Sequence, residues 1–208
     1  MYLFELIPCV LRHPLDTFRL IKADRRHFSW LPAITLFFLF VAIRIASIFI
    51  VHYPLAATDP MDANFLLEIV FALAPPISLA ITVFGLTSIM DGESMLRENI
   101  TAMAFCLVPY VVFQLPIALM TQILGISEAS LFQGLTTLIW VWVVFLFVVN
   151  VTVMNGYTLS KTLIVIFLAI ISVLLFWGTL FLLYALFNQF ALFLSGVFRE
   201  LKFVIFGM

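Results

Sequence analysis

The amino-acid sequence predicts an all-α fold, a polytopic membrane bundle of five transmembrane helices with an amphipathic helix at each end. Of the 208 residues, 65% are hydrophobic and only 10% are charged, and the mean hydropathy is +1.24. Soluble domains are about 45–50% apolar and about 25% charged. A chain of this length cannot bury so much apolar surface in a water-soluble core. The composition therefore indicates a bilayer as the main solvent.

Five apolar runs reach the length of about 20 residues that a helix needs to cross a bilayer. They are residues 30–51, 65–89, 100–124, 131–154 and 162–186. The connections between them are short and polar, which is typical of helices that cross back and forth. The predicted domains are an N-terminal segment, 1–29, a membrane domain, 30–186, and a C-terminal segment, 187–208.

The N-terminal segment has the pattern of a basic amphipathic helix. In LDTFRLIKADRRHFSW, Phe18 and Ile21 fall on one side and the basic residues fall largely elsewhere. Such a helix suits contact with anionic lipid head groups, and charge that only sets the topology is the alternative. The predicted lipid-facing basic residues are Arg19, Lys22, Arg25 and Arg26.

Lysine and arginine near the span ends predict the orientation. The first 29 residues hold five of them, the second connection adds Arg97 and the fourth adds Lys161, whereas the other two connections hold none. This asymmetry predicts a cytoplasmic N-terminus, and five spans then place the C-terminal segment outside. There Ser195, Arg199 and Lys202 share one helical face, which predicts an interfacial helix. A short sixth span is the alternative.

Two ionisable residues lie inside predicted spans. At about 1.5 Å per residue, Arg44 sits about 10 Å below one end of its span and Glu68 about 5 Å below the adjoining end of the next. A charge in hydrocarbon costs about 2.5–3.5 kcal/mol and is usually paired. We therefore expect an intramembrane polar pair between Arg44 and Glu68. A solute or proton site and an arginine that snorkels to the surface are the alternatives.

The connection between the second and third spans concentrates charge in a few residues, namely Asp91, Glu93, Arg97 and Glu98 around Gly92. Asp91 is expected to cap the next helix, and Glu93 and Arg97 have favourable i,i+4 order. Gly92 permits the turn. This hinge, residues 91–98, is expected either to reverse the chain or to dock a cytoplasmic partner.

Prolines interrupt two of the predicted spans. Pro75, Pro76, Pro109 and Pro116 each remove a backbone donor and are expected to kink their helices. The carbonyls that lose their donors can serve a cavity, and kinks that only improve packing are the alternative.

Catalysis finds no support in the sequence. It contains no His-Glu-x-x-His, no Gly-x-Ser-x-Gly and no phosphate-binding glycine loop. The two cysteines, Cys9 and Cys106, make no metal-ligand or disulfide framework. We expect a protein that is not an enzyme, with no catalytic, cofactor-binding or metal-binding residues and no nucleic-acid partner.

Five stretches of the chain, taken in order, carry a family resemblance. They are PLDTFRLIK at 14–22, MDGESMLRE at 90–98, AMAFCLVPY at 102–110, IW at 139–140 and GYTLSK at 156–161. Together they resemble the Yip-domain family of multi-pass membrane proteins, in its bacterial branch, whose eukaryotic relatives interact with Rab proteins. The second stretch is similar to an L-x-D-G-x-G-x-x-x-E pattern and departs from it at Ser94, where the family usually carries glycine.

The resemblance implies a five-span bundle and an accessory role beside solute transporters such as carbohydrate ABC importers. We therefore expect an integral protein of the bacterial cytoplasmic (inner) membrane. Its expected partners are membrane lipids and either transporter subunits or a second copy of the chain. Two alternatives stay open: a small transporter or channel with a site near Arg44 and Glu68, and a lipid-organising or membrane-shaping protein.

Overall fold

Helices form the regular structure of the residues that this computed structural model describes, which are 2–23, 30–51 and 63–206. A 3₁₀ turn at Ile126–Glu128 is the one departure from α-helix among the elements assigned there. The chain divides into two compact units, Met1–Ala169 and Ile170–Met208. The helices are α1 Tyr2–Arg12, α2 Pro14–Ala23, α3 Leu31–Ile50, α4 Phe65–Ile89, α5 Leu96–Cys106, α6 Val108–Met120, α7 Ala129–Asn155 and α8 Leu159–Phe206.

Five helical stretches in the described residues are long and apolar enough to cross a membrane, which confirms the predicted bundle. They are Leu31–Ile50, Phe65–Ile89, Leu96–Met120, Ala129–Asn155 and Leu159–Phe198. The third begins four residues before the predicted start at 100 and is composed of α5 and α6. These two helices part at Leu107, because Pro109 has no N–H to donate to the carbonyl of Phe105.

Helix α5 lies at the centre of the bundle. It packs on α2, α3, α4 and α7, and eight of its eleven residues are buried. Ala102 and Ala104 are fully buried, and such small side chains let neighbouring helices approach closely. The best-packed part of the protein is therefore the half-span that follows the hinge.

The N-terminal helices pack on the bundle. Pro14 begins α2, where its missing N–H has no cost, and α2 then packs on α7 and α5. Its apolar face, formed by Phe18 and Ile21, is buried together with Thr17. The apolar face of α2 is therefore covered by protein, and lipid contact by its basic residues stays a prediction. Arg25 and Arg26, two of the predicted lipid-facing residues, lie outside the described residues.

Helix α8 has no break at the predicted boundary between 186 and 187. It continues to Phe206, and residues 159–206 contain no proline that would remove a backbone donor from the helix. Within the second unit the described side chains up to Phe198 are predominantly apolar and exposed. An interfacial position for residues 187–208 stays a prediction, as does a sixth crossing.

Candidate functional site

The hinge is held by a backbone conformation that few residues adopt. Asp91 lies in the left-handed region, with φ +56°, which aspartate tolerates better than most side chains. The next residue, Gly92, donates its backbone N–H to the carbonyl oxygen of Thr87 at 2.7 Å. The chain therefore reverses directly over the last turn of α4.

Gly92 is required for close approach. A β-carbon at this position would lie 2.6 Å from Cβ of Thr87, 2.7 Å from Oδ1 of Asn155 and 2.8 Å from the hydroxyl oxygen of Tyr157. These distances are about 1 Å shorter than an ordinary contact. The hinge therefore presses its backbone against the end of α7 and the connection that follows it.

Side chains from the α7–α8 connection hold the end of α4. The Tyr157 hydroxyl donates to the carbonyl oxygen of Met90 at 2.9 Å and Lys161 Nζ donates to the same oxygen at 2.8 Å. The ammonium of Lys161 also lies 4.3 Å from the centre of the Tyr157 ring, a cation–π contact. Burial, followed by the negative charge of Asp91, raises the pKa of Tyr157, so this phenol keeps its proton at neutral pH.

Ser94 makes a buried contact across the same interface. Its hydroxyl donates to Oδ1 of Asn155 at 2.8 Å, and Nδ2 of Asn155 donates to the carbonyl of Val151 at 3.0 Å. Asn155 is the last residue of α7, and Gly156 follows it with φ +66°, a left-handed helix end that favours glycine. The C-terminal end of α7 and the hinge are thus joined through one amide side chain.

One predicted role at the hinge differs from the structure. The helix that follows starts at Leu96 with Met95 as its N-cap, so the prediction that Asp91 caps it is wrong. The carboxylate of Glu98 instead accepts from the N–H of Met95 at 3.1 Å. Arg97, at the first turn of α5, is partly exposed.

Lys22 and Glu93 form an ion pair that the sequence analysis did not anticipate. Their Nζ and Oε2 atoms are 2.7 Å apart, and Lys22 also donates to the carbonyl of Val153 at 3.3 Å. Lys22, one of the four basic residues predicted to face lipid, therefore has protein partners. Arg19 lies 3.7 Å from Asp16 on an exposed surface, where such pairs contribute little.

The structure brings Arg44 of α3 and Glu68 of α4 together. Nε and Nη2 of Arg44 lie 3.2 and 3.1 Å from the same oxygen, Oε2 of Glu68. Asn64 caps α4 by accepting from the N–H of Leu67 at 3.3 Å, which places Glu68 in the first turn, where the helix dipole favours a negative charge. The Arg44 side chain is 45% exposed and that of Glu68 23%.

A cavity lies beside this ion pair. Its volume is about 380 Å³, and side chains from α3, α4, α5, α6 and α7, with Leu107 between α5 and α6, line it. Tyr110 reaches it from α6 with only 1% of its surface exposed, and Arg44 lies close to the tyrosine hydroxyl. The ring of Tyr110 packs between Phe40, at 4.9 Å, and Trp140, at 5.5 Å.

The prolines occupy different structural positions. Pro75 and Pro76 lie inside α4, which runs through both without a break, and both line the cavity. They deprive the carbonyls of Phe71 and Ala72 of their donors within the helix. Pro109 is at the second position of α6, just after the helix break, and Pro116 lies inside α6.

Sequence reasoning missed most of the residues that hold the hinge. Lys22, Asn155, Tyr157 and Lys161 make contacts with residues 61 to 131 positions away, and no local pattern reports such a separation. Tyr157 and Lys161 did lie in one stretch that carries the family resemblance, as did Tyr110 in another. That resemblance was the one signal that could have singled them out.

Metal binding finds no candidate within residues 2–23, 30–51 and 63–206, where no group of three or more His, Cys, Asp or Glu side chains is placed to hold an ion. A few of the described polar groups join helices. Lys22 of α2 and Asn155 of α7 contact the hinge, Lys161 of α8 contacts the end of α4, and Arg44 of α3 contacts Glu68 of α4.

Comparison with known proteins gives one match. A family model described as the Yip1 domain matches residues 9–182 of the chain. Neither the search of curated proteins nor the search of solved structures found a match to the chain. The matched range includes the hinge and the Arg44–Glu68 pair. It covers the first four membrane-spanning stretches completely and the fifth up to residue 182.

Proposed function

The chain belongs to the Yip1 domain family, and on that premise we propose that it is an accessory protein of the bacterial cytoplasmic membrane. It binds another integral membrane protein, a subunit of a carbohydrate-type ABC transporter, and stabilises it. The N-terminus and the hinge face the cytoplasm. The protein performs no catalysis of its own.

The observation that carries this proposal is the exposed apolar surface of the second unit. Its helical residues, 170–206, extend about 55 Å at 1.5 Å per residue, whereas the hydrocarbon core is about 30 Å thick. Phe181, Phe187 and Phe193 are 69%, 71% and 66% exposed. A single perpendicular crossing would cover only part of such a helix with hydrocarbon, so an apolar surface of a partner protein suits the remainder. The interfacial position predicted for residues 187–208 is the alternative.

The internal use of polar groups supports a binding role over a transport or catalytic role. Arg44 and Glu68 are bonded to each other. At the hinge, Lys22, Tyr157 and Lys161 all bond to protein groups. These five ionisable residues, Lys22, Glu93, Arg44, Glu68 and Lys161, thus act as connections between parts of the fold.

Photo-crosslinking from the exposed helix tests the proposal. The photoreactive amino acid p-benzoylphenylalanine replaces Phe181 or Phe187 in the second unit and, as a matched control, Phe38 on α3, which is 73% exposed. We expect both positions of the second unit to give a discrete adduct with an integral subunit of a solute importer. Phe38 should give lipid adducts only.

Three other results would contradict the proposal and support a different function. Adducts between two copies of this chain alone would make it a homo-oligomer, and lipid adducts at all three positions would remove the protein partner. Solute flux through liposomes that contain only this chain, lost in Arg44→Ala, would show a transporter in place of an accessory protein.

The orientation has its own test. Single cysteines replace exposed residues at opposite ends of the bundle, Met95 in the hinge and Ser127 in the 3₁₀ turn, in a background that carries Cys9→Ser and Cys106→Ala. A membrane-impermeant maleimide applied to intact cells should label Ser127→Cys and spare Met95→Cys until the cells are opened. The reverse pattern would invert the topology.

A further inference from the structure

The cavity beside Arg44 and Glu68 has no role in the partner-binding proposal. Its volume of about 380 Å³ falls within the range of about 300–1,000 Å³ that small-molecule sites occupy. Its walls are apolar over most of their extent, and its three polar side chains, Arg44, Glu68 and Tyr110, lie together. An apolar body with a polar group at one end therefore fits this space.

The hydroxyl group of Tyr110 lacks a hydrogen-bond partner. The side chain is 1% exposed, and its oxygen is among the buried polar atoms of the described residues that have no such partner. Arg44 and Ser47 lie nearby, but neither makes a hydrogen bond of acceptable geometry with the tyrosine oxygen. A guanidinium only donates, and the Ser47 hydroxyl already donates to the carbonyl oxygen of Arg44 at 2.7 Å, so the tyrosine O–H lacks a well-placed acceptor. Buried hydroxyl groups are nearly always satisfied, and inside a bilayer bulk water cannot satisfy this one.

The rim of the cavity faces the bilayer side of the helices. Phe71 of α4 and Val144 of α7 both line it and are 70% and 59% exposed. Helices α4 and α7 each pack on α5, and the cavity lies over α5 between them. A ligand would therefore arrive from the hydrocarbon, where acyl chains are the most abundant molecules.

The net charge of the polar side chains in the cavity indicates which polar group a ligand would carry. Arg44 and Glu68 neutralise each other at 3.1 Å, so the site offers a donor without a net charge. A carbonyl oxygen accepts a hydrogen bond without adding a charge, whereas a carboxylate or phosphate would need a cation that is already paired.

We propose that this cavity binds one ester-linked acyl chain of a membrane lipid, whose carbonyl oxygen accepts from the hydroxyl of Tyr110. The hydrocarbon lies between α4 and α7, against Phe71 and Trp140. A free fatty acid offers similar chemistry from a second source and carries a charge that this site does not balance, so the phospholipid ester is the occupant.

Photoaffinity labelling tests the site. The purified chain is reconstituted with trace phosphatidylcholine that carries a diazirine and an alkyne in one acyl chain, and a diazirine fatty acid forms a second arm. Adducts are mapped by mass spectrometry in the wild type, in Ala72→Trp, which fills the cavity, and in Ala185→Trp, a matched control on the exposed surface of α8. Tyr110→Phe removes only the donor.

The expected result is phospholipid adducts on the lining residues, reduced at least fivefold in Ala72→Trp and unchanged in Ala185→Trp. Tyr110→Phe should weaken labelling about two- to tenfold, which is the effect of one hydrogen bond. Equal labelling in Ala72→Trp, or labelling of the cavity no stronger than that of exposed Phe38, would overturn the site. Stronger labelling by the fatty acid would overturn the ester.

A thermal measurement keeps the test decisive if Ala72→Trp does not fold. Added phosphatidylcholine should raise the Tm of the delipidated wild type more than that of Tyr110→Phe, since only the wild type gains the hydrogen bond. Without lipid, Tyr110→Phe should be as stable as the wild type or more so, because the variant has no unsatisfied hydroxyl. Equal lipid-induced shifts would contradict the proposal and leave the accessory role untouched.

Discussion

Gly92→Ala is the substitution whose effect the structure defines most sharply. The added methyl group would meet Cβ of Thr87, Oδ1 of Asn155 and the hydroxyl of Tyr157 at 2.6 to 2.8 Å. The last two atoms are held by hydrogen bonds, from Ser94 and to the carbonyl of Met90. Room for the methyl group therefore requires that these two bonds lengthen or break.

The magnitude follows from those contacts. Overpacking a well-packed site costs about 1–3 kcal/mol, and each lost hydrogen bond adds about 0.5–1.5 kcal/mol. The lower entropy of an unfolded chain with alanine offsets about 0.4–1 kcal/mol. We expect Gly92→Ala to lower the free energy of unfolding by about 2–4 kcal/mol, which at this chain length lowers Tm by about 5–15 °C.

The assay is thermal unfolding of the purified protein in a mild detergent, followed by intrinsic fluorescence. Gly85→Ala is the matched control, because a β-carbon added at Gly85 would have no atom within 4 Å and alanine favours the helix by about 0.5–1 kcal/mol. In Gly92→Ala combined with Tyr157→Phe, the loss should be smaller than the sum of the two single losses. A Tm for Gly92→Ala equal to that of the wild type would refute the steric argument.

Three further changes test the hinge by the same assay. Gly156→Ala should cost about 1–2 kcal/mol and Gly156→Asn less, since the residue has φ +66° and asparagine tolerates that region; equal losses would point to packing instead. A double-mutant cycle on Lys22 and Glu93 should give a coupling of about 0.2–1 kcal/mol that shrinks in salt, because Glu93 is 63% exposed; a larger coupling would show a pair shielded from solvent. Burial, and then the charge of Asp91, raise the pKa of Tyr157, so the free energy of unfolding should fall as pH rises above about 10. Tyr157→Phe should remove that part of the fall, and an unchanged slope in this variant would contradict the role of the phenol.

The membrane architecture could be predicted because the bilayer leaves the sequence few choices. Backbone groups in hydrocarbon must bond within one helix, so apolar length alone located the spans, and the second span coincides with Phe65–Ile89. The encounter of Arg44 with Glu68 could also be anticipated, since two opposite charges at similar depth on adjoining spans have few other partners. The sequence thus allows the position of a residue along the membrane normal to be predicted.

The hinge contacts could not be predicted because they depend on how the helices are arranged and rotated in the plane of the membrane. Which helix faces which cannot be inferred from hydropathy, and Lys22 meets the carbonyl of Val153 from 131 residues away. Asp91 has the residue type of an N-cap, yet α5 begins five residues later, at Leu96. The structure places the chain reversal at Asp91 and Gly92 and uses the carboxylate of Glu98 for the cap.

The two positions that the family pattern fills with glycine have different physical requirements in this chain. At Gly92 a side chain does not fit without displacing its neighbours, because three atoms lie within 2.8 Å of the place that a β-carbon would take. At Ser94 a side chain is in use: its hydroxyl donates to Oδ1 of Asn155 at 2.8 Å, the same oxygen that bars a β-carbon at Gly92. The serine therefore helps to fix the atom against which the glycine packs. The serine that departs from the motif thus supports the close packing at Gly92. The backbone at Gly92 stays tightly packed without a second glycine at residue 94.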